Sequence, residues 1–100
     1  MRYNTSGFRN IGIGYNSLVY NTTGSFNIGI GYASLLRNIS GKNNLAIGNG
    51  TLNNNIIGDY NMAMGAAALY NNINGSQNTG IGYQALYANT VGNSNLGIGS

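Results

Sequence analysis

The stretch Asn27-Ile28-Gly29-Ile30-Gly31-Tyr32 decides the fold, because near copies of it recur along the whole chain. The copies begin at Asn10, Asn27, Asn44, Asn61, Asn78 and Asn95. Successive starts always differ by 17 residues, as in 44 − 27. A fixed period of this length is typical of repeat architectures, in which each unit stacks on its neighbours. The repeat fills residues 1–100, so we predict a single repeat domain.

Several columns are the same in every full copy when the first Asn of each copy is counted as position zero. Position four is Gly, position eight is Leu, position eleven is Asn and position fourteen is Gly. Since Gly and Asn adopt left-handed backbone conformations readily, we predict that the chain turns at positions four, eleven and fourteen. The predicted turn glycines are Gly14, Gly31, Gly48, Gly65 and Gly82 at position four, and Gly24, Gly41, Gly58, Gly75 and Gly92 at position fourteen.

Positions one to three alternate between large and small residues, as Ile28, Gly29 and Ile30 do. Such alternation is the period of a β-strand. We predict that the large residues face the interior and that a second short strand carries the Leu of position eight. The predicted core residues are Ile13, Leu18, Ile30, Leu35, Ile47, Leu52, Met64, Leu69, Ile81 and Leu86. The Gly/Ala column at position two would then form a smooth outer groove for another chain.

One 17-residue unit is too small to bury a face alone, whereas stacked units bury Ile on Ile and Leu on Leu. We therefore predict an all-β fold, a parallel β-solenoid (β-roll) of about six coils and roughly 29 Å in length at about 4.8 Å per coil. Asn side chains of neighbouring coils can then form a hydrogen-bonded ladder. Its predicted members are Asn21, Asn38, Asn55, Asn72 and Asn89. A helix would suit residues 66–71, but the other copies place Gly, Ser, Thr and Asn in those columns.

The composition argues against catalysis and metal binding. Only Arg2, Arg9, Arg37, Lys42 and Asp59 are charged, and the sequence contains no His, Cys or Glu. Paired carboxylates, a nucleophile with its base, and metal-ligand clusters therefore cannot be assembled. We expect no enzyme activity, no cofactor and no metal. The scattered cations do not resemble a nucleic-acid-binding motif, and no apolar run is long enough to insert into a membrane.

Three tyrosines share position five: Tyr15, Tyr32 and Tyr83. Tyrosines beside Asn form the kind of surface that binds sugars, so these residues are a possible ligand surface. The competing interpretation is that the rings stack along the solenoid and cover its edge. A flat ice-binding array would need a continuous Thr column, but position twelve is Ile in three successive copies, at Ile39, Ile56 and Ile73.

The repeat Asn78-Thr79-Gly80-Ile81-Gly82-Tyr83-Gln84-Ala85-Leu86 resembles the NTAIGYxAL-type repeats of phage tail fibres and bacterial surface proteins. It is also similar to the shorter-period N-S-V-A-I-G motif of the YadA-like heads of trimeric autotransporter adhesins. The resemblance covers residues 4–100 and implies a left-handed parallel β-roll in which three chains pack around one axis. The longer period of this chain implies an extra corner or a longer outer turn.

These observations lead to three hypotheses about function. The first is a non-enzymatic structural or adhesive module of a viral tail fibre or bacterial surface adhesin, formed as a homotrimer and located outside the cell or on a virion. The second is an extracellular filament in which the chains stack end to end. The third is a solenoid that binds glycans or ice. The expected partners are copies of the chain itself and possible cell-surface glycans or receptors.

Overall fold

Each 17-residue repeat forms one coil of a β-solenoid in the computed structural model, which describes residues 4–99. The strands are β1 (Ile11–Ile13), β2 (Ile28–Ile30), β3 (Leu45–Ile47), β4 (Met62–Met64), β5 (Thr79–Ile81) and β6 (Leu96–Ile98). They form one parallel sheet in the order β1 to β6. Its register places each residue beside its equivalent in the next repeat, as Ile28 beside Leu45. This confirms the predicted parallel solenoid and its period. Residues 1–3 and 100 of the predicted domain lie outside the described part.

Hydrogen bonds join the coils outside the sheet as well. The backbone N–H of Leu18 donates to the carbonyl of Ser34 at 3.1 Å, and that of Leu35 donates to Thr51 at 2.9 Å. The Cα trace measures 34 × 23 × 17 Å, and its long dimension is comparable with the length predicted for six stacked coils. Within residues 4–99 no helix is long and apolar enough to cross a membrane.

The segment that carries the position-eight leucines is not the predicted second strand. Each coil has one strand, and the backbone at positions six and eight is left-handed, with φ of 56° at Ala33 and 50° at Leu35. Left-handed residues curl the chain and prevent an extended strand. Leucine rarely adopts this conformation. The hydrogen bonds to neighbouring coils hold it in place here.

The leucine half of the predicted core is confirmed. Leu18, Leu35, Leu52 and Leu69 are completely buried, and Leu86 packs against them with part of its surface exposed. Three buried alanines complete this cluster: Ala46, Ala63 and Ala68. The apolar interior is therefore a single column of leucines facing a wall of small residues.

The isoleucine and methionine half of the predicted core is wrong. Ile13 and Met64 are exposed, and Ile30, Ile47 and Ile81 are half-buried on the outer side of the sheet. The small residues of position two point inward instead. A Cβ added to Gly29 would lie 3.5 Å from Cγ of Leu18 and 3.0 Å from Oγ of Ser34. Because the space opposite the leucines admits only a hydrogen or a methyl group, the large residues must point outward, and the predicted smooth outer groove does not exist.

The two glycine columns have different roles. Position four is left-handed as predicted, with φ between 115° at Gly65 and 127° at Gly48 in the five full copies, and 97° at Gly99. Position fourteen does not have the predicted left-handed conformation, and neither do the position-eleven asparagines. Its glycines are needed for close approach, since a Cβ on Gly41 would lie 2.4 Å from Oδ1 of Asn38 and 2.5 Å from the carbonyl oxygen of Gly58. The left-handed residue at this corner is position sixteen, for example Tyr60 with φ of 59°.

The inward orientation of position two leads to a stability prediction. Ala46→Leu adds three carbons beside the completely buried leucine column, and overpacking of this kind costs about 1–3 kcal/mol. We expect chemical denaturation to show this loss in the free energy of unfolding. Ala88→Leu, at an exposed position, is the matched control and should leave that free energy nearly unchanged. Equal stability of the two variants would contradict the described orientation of the strand.

Candidate functional site

The most ordered polar feature is the asparagine ladder at position eleven, which confirms the prediction. Each Nδ2 donates to Oδ1 of the equivalent residue one coil earlier. The distances are 2.8 Å for Asn21 to Asn4, 2.7 Å for Asn38 to Asn21, 2.9 Å for Asn55 to Asn38, 2.8 Å for Asn72 to Asn55 and 2.9 Å for Asn89 to Asn72. Each Nδ2 donates also to the carbonyl of the Gly three residues later, as Asn55 does to Gly58 at 3.0 Å.

A second asparagine column, at position zero, was not identified as a ladder from the sequence. The backbone N–H of Asn44 donates to Oδ1 of Asn27 at 3.0 Å, and Nδ2 of Asn44 donates to the carbonyl of Gly58 at 2.8 Å. Asn44 is 1% exposed. The signal that could have revealed this role is the presence of Asn at position zero in every copy, since a loop position would tolerate other polar residues.

The two asparagine columns donate hydrogen bonds to the same backbone carbonyl groups. The carbonyl of Gly58 accepts hydrogen bonds from both Asn44 and Asn55. Among the described residues, no buried side-chain nitrogen or oxygen lacks a hydrogen-bond partner. The ladders are therefore a completed structural network, and they offer a ligand no unpaired buried group.

The outer side of the sheet is a long apolar surface, which we call the sheet face. It consists of the residues at positions one and three: Ile11, Ile13, Ile28, Ile30, Leu45, Ile47, Met62, Met64, Thr79, Ile81, Leu96 and Ile98. Thr79 is its one polar residue, and it carries no charge. Exposure reaches 56% at Ile13 and 74% at Ile98. Six strands of three residues cover about 300 Å² in projection, and contiguous apolar patches of this size commonly mark interaction sites.

The tyrosines of position five do not form one surface. The rings of Tyr15 and Tyr32 stack at 5.6 Å between centroids and 13° between planes. Tyr83 lies three coils further on, with Asn49 and Ala66 occupying the intervening places. The stacking of Tyr15 and Tyr32 matches the interpretation that rings cover an edge of the solenoid.

A groove that the sequence analysis did not single out lies between the columns of positions ten and twelve. It has a volume of about 410 Å³ and is lined by Tyr20, Thr22, Arg37, Ile39 and Ile56. These residues come from three successive coils, and Arg37 is the only charged member. The groove therefore has a mostly apolar lining, with one arginine among its residues.

Comparison with protein-family models, with curated proteins and with solved structures found no significant match for this chain. The proposals below therefore depend on the geometry of the solenoid and on the sequence resemblance described above.

The ladder gives a second stability prediction. Asn55→Ala removes hydrogen bonds that join three coils. It leaves the buried Oδ1 of Asn38 without its donor, and Nδ2 of Asn72 keeps only the carbonyl of Gly75 as an acceptor. Since a buried unsatisfied polar group costs about 1–3 kcal/mol, we expect a loss of at least about 2 kcal/mol in unfolding free energy. Asn54→Ala is the adjacent control, because Asn54 is only partly buried and its amide donates to Asn71 at a longer 3.3 Å. Similar losses of unfolding free energy in both variants would show that the buried ladder stabilises the fold no more than the partly buried Asn54 does.

Proposed function

We propose that this chain is a non-enzymatic structural module of an extracellular fibre, in which three copies pack around one axis through their sheet faces. The observation that carries the proposal is the sheet face itself, an uncharged apolar surface that runs through all six strands. A monomer would leave this surface in water along the whole solenoid. Association of copies removes it from water without burying a charge, which is the costly part of many interfaces.

The geometry of the repeat also supports self-association. Positions one and three are apolar in every coil except at Thr79, so equivalent coils of neighbouring copies offer equivalent surfaces. In a parallel assembly around one axis, each coil meets the same coil of its partners, and the interface is repeated layer by layer. Closed cyclic symmetry of this kind is common among homo-oligomers. The number three and the fibre role come from the resemblance to adhesin and tail-fibre repeats.

The non-enzymatic part of the proposal is supported by the side chains that the sequence contains. Without His, Cys or Glu, and with Asp59 as the only acid, the chain offers no general-base pair. We further propose that the fibre is adhesive, as the resemblance implies, and that adhesion uses the solenoid's other surfaces, since the sheet face would be occupied.

End-to-end stacking into a filament is the second candidate, and the polarity of the asparagine ladders favours it. Each Nδ2 at position eleven points to the preceding coil, while each Oδ1 accepts from the following one. A coil from another chain could continue the ladder in the same head-to-tail sense. Such growth would make the mass depend on protein concentration, whereas a trimer has a constant mass.

The assembly proposal is tested by the double variant Ile30→Thr with Ile47→Thr, which keeps β-branched residues and makes the middle of the sheet face polar. We expect the unmodified chain to show a constant mass of three copies by light scattering across a wide concentration range. The double variant should be monomeric with unchanged β content by circular dichroism. Ile57→Thr is the control, since Ile57 is 52% exposed at position thirteen, outside the sheet face.

A monomeric unmodified chain would contradict the assembly proposal. A mass that rises without limit would instead favour the filament. Loss of the trimer in the Ile57→Thr control would show that the interface lies elsewhere on the solenoid.

The arrangement of copies is tested by a single cysteine at Thr79, because the chain has no Cys of its own. In a parallel assembly, β5 meets β5, so Thr79→Cys copies should form disulfide-linked pairs on mild oxidation. In an antiparallel dimer, β5 would meet β2, and crosslinking would require mixing Thr79→Cys with Ile28→Cys copies. Denaturing gel electrophoresis distinguishes the two patterns, and efficient crosslinking only in the mixture would contradict the parallel arrangement.

A further inference from the structure

The groove between positions ten and twelve is preformed by the backbone. Asn38, at position eleven between the two columns, is completely buried, so its neighbours Arg37 and Ile39 both project outward. Hydrogen bonds between coils hold the groove's residues in place, from the backbone N–H of Thr22 to Ile39 at 3.1 Å and from that of Ile39 to Ile56 at 3.0 Å. The volume of about 410 Å³ falls within the range of roughly 300–1,000 Å³ that small-molecule pockets occupy.

Within residues 4–99, position ten carries a large side chain only at Tyr20 and Arg37. Position ten is Tyr20 and then Arg37, but in the following coils it becomes Asn54, Asn71 and Ala88. The amides of Asn54 and Asn71 are joined by a hydrogen bond. The groove is thus a local feature of the coils that begin at Asn10, Asn27 and Asn44, short enough for one small group and too short for an extended polymer.

The charge of the groove selects an anion. The only acid of the sequence is Asp59, and its carboxylate accepts a hydrogen bond from the backbone N–H of Lys42 at 2.7 Å. Among the described residues, Arg37 has no acidic partner. A guanidinium group binds a carboxylate through two parallel hydrogen bonds. The net charge of +3 also favours the approach of anions.

The other lining residues determine which uncharged groups of a ligand can bind. Tyr20 is 47% exposed and Ile39 is 43% exposed, so part of each side chain is accessible to a bound molecule. A tyrosine ring provides a flat apolar face with a polar end. A pyranose ring can lie on such a face, and a methyl group can contact Ile39 and Ile56. A sugar that carries both a carboxylate and an N-acetyl group supplies all three elements.

We propose that this groove binds an acidic N-acetylated sugar of the sialic acid type, with its carboxylate on Arg37, its ring on Tyr20 and its acetyl methyl group against Ile39 and Ile56. The groove shares no residue with the sheet face. Binding is therefore independent of the assembly of three copies, and failure of one proposal leaves the other standing. Each copy would carry one such site.

The test uses the complete chain with sialyllactose as the probe and lactose as its neutral counterpart. Saturation-transfer NMR should show contact with the sialic acid acetyl methyl group, and a titration gives the dissociation constant. Arg37→Gln removes the charge and keeps a polar side chain on the same first carbons, and we expect binding to weaken by about tenfold or more. Arg9→Gln is the matched control, because Arg9 is an exposed cation that lies over the ring of Phe26 at 5.5 Å, away from the groove. Circular dichroism checks that both variants are folded.

Binding of sialyllactose without lactose, lost in Arg37→Gln and retained in Arg9→Gln, would support the proposal. No binding of sialyllactose would overturn it. Equal binding of lactose would overturn the requirement for a carboxylate. Equal weakening in the two arginine variants would show attraction by net charge alone and would also overturn the site.

Discussion

The rest of the structure depends on the carbonyl oxygen of the position-fourteen glycine, which accepts hydrogen bonds from two asparagine columns at once. At Gly58 these come from Asn55 at 3.0 Å and from Asn44 at 2.8 Å. The glycine must lack a side chain, because a Cβ would lie 2.3 Å from the carbonyl oxygen of Gly75 in the next coil. These contacts tie the two asparagine ladders together within each coil and from coil to coil. They fix the register at 17 residues, so an insertion within a coil would separate the ladders as well as the leucines.

This polar network explains why the large apolar residues point outward. A coil of 17 residues encloses little space, and part of that space is filled by buried asparagines, none of which has a buried side-chain nitrogen or oxygen without a hydrogen-bond partner among the described residues. The remaining interior holds one leucine per coil against a Gly or Ala such as Ala46. No room is left for Ile30 or Ile47. The coil thus has its hydrogen bonds inside and much of its apolar surface outside, and burial of that surface requires another molecule.

The sequence was sufficient to predict the features that follow from periodicity. The parallel strands, the leucine column, the position-eleven ladder and the left-handed position-four glycines are all direct consequences of aligned repeats. It was insufficient to predict which side of the strand faces inward, since large-small-large alternation fits either orientation. That choice depends on the path of the opposite segment, where Leu35 and Ala33 adopt left-handed conformations that their side chains do not favour. Hydrogen bonds between coils impose this conformation, and no local sequence pattern predicts it.

The difference between constant and variable columns of the repeat explains why a repetitive solenoid can have a specific surface. The columns that are constant, such as the asparagines and leucines, hold one coil on the next. Position ten varies and lies on the outside, where a change of side chain does not disturb the stacking. At position ten the sequence changes from Tyr20 to Arg37 and then to Asn54. An aromatic residue and a cation are neighbours there, because every column brings its successive members side by side. In a stack of nearly identical coils, a chemically distinct surface arises where the residue type changes along a column. The groove beside Tyr20 and Arg37 is therefore a direct result of variation in an otherwise constant repeat.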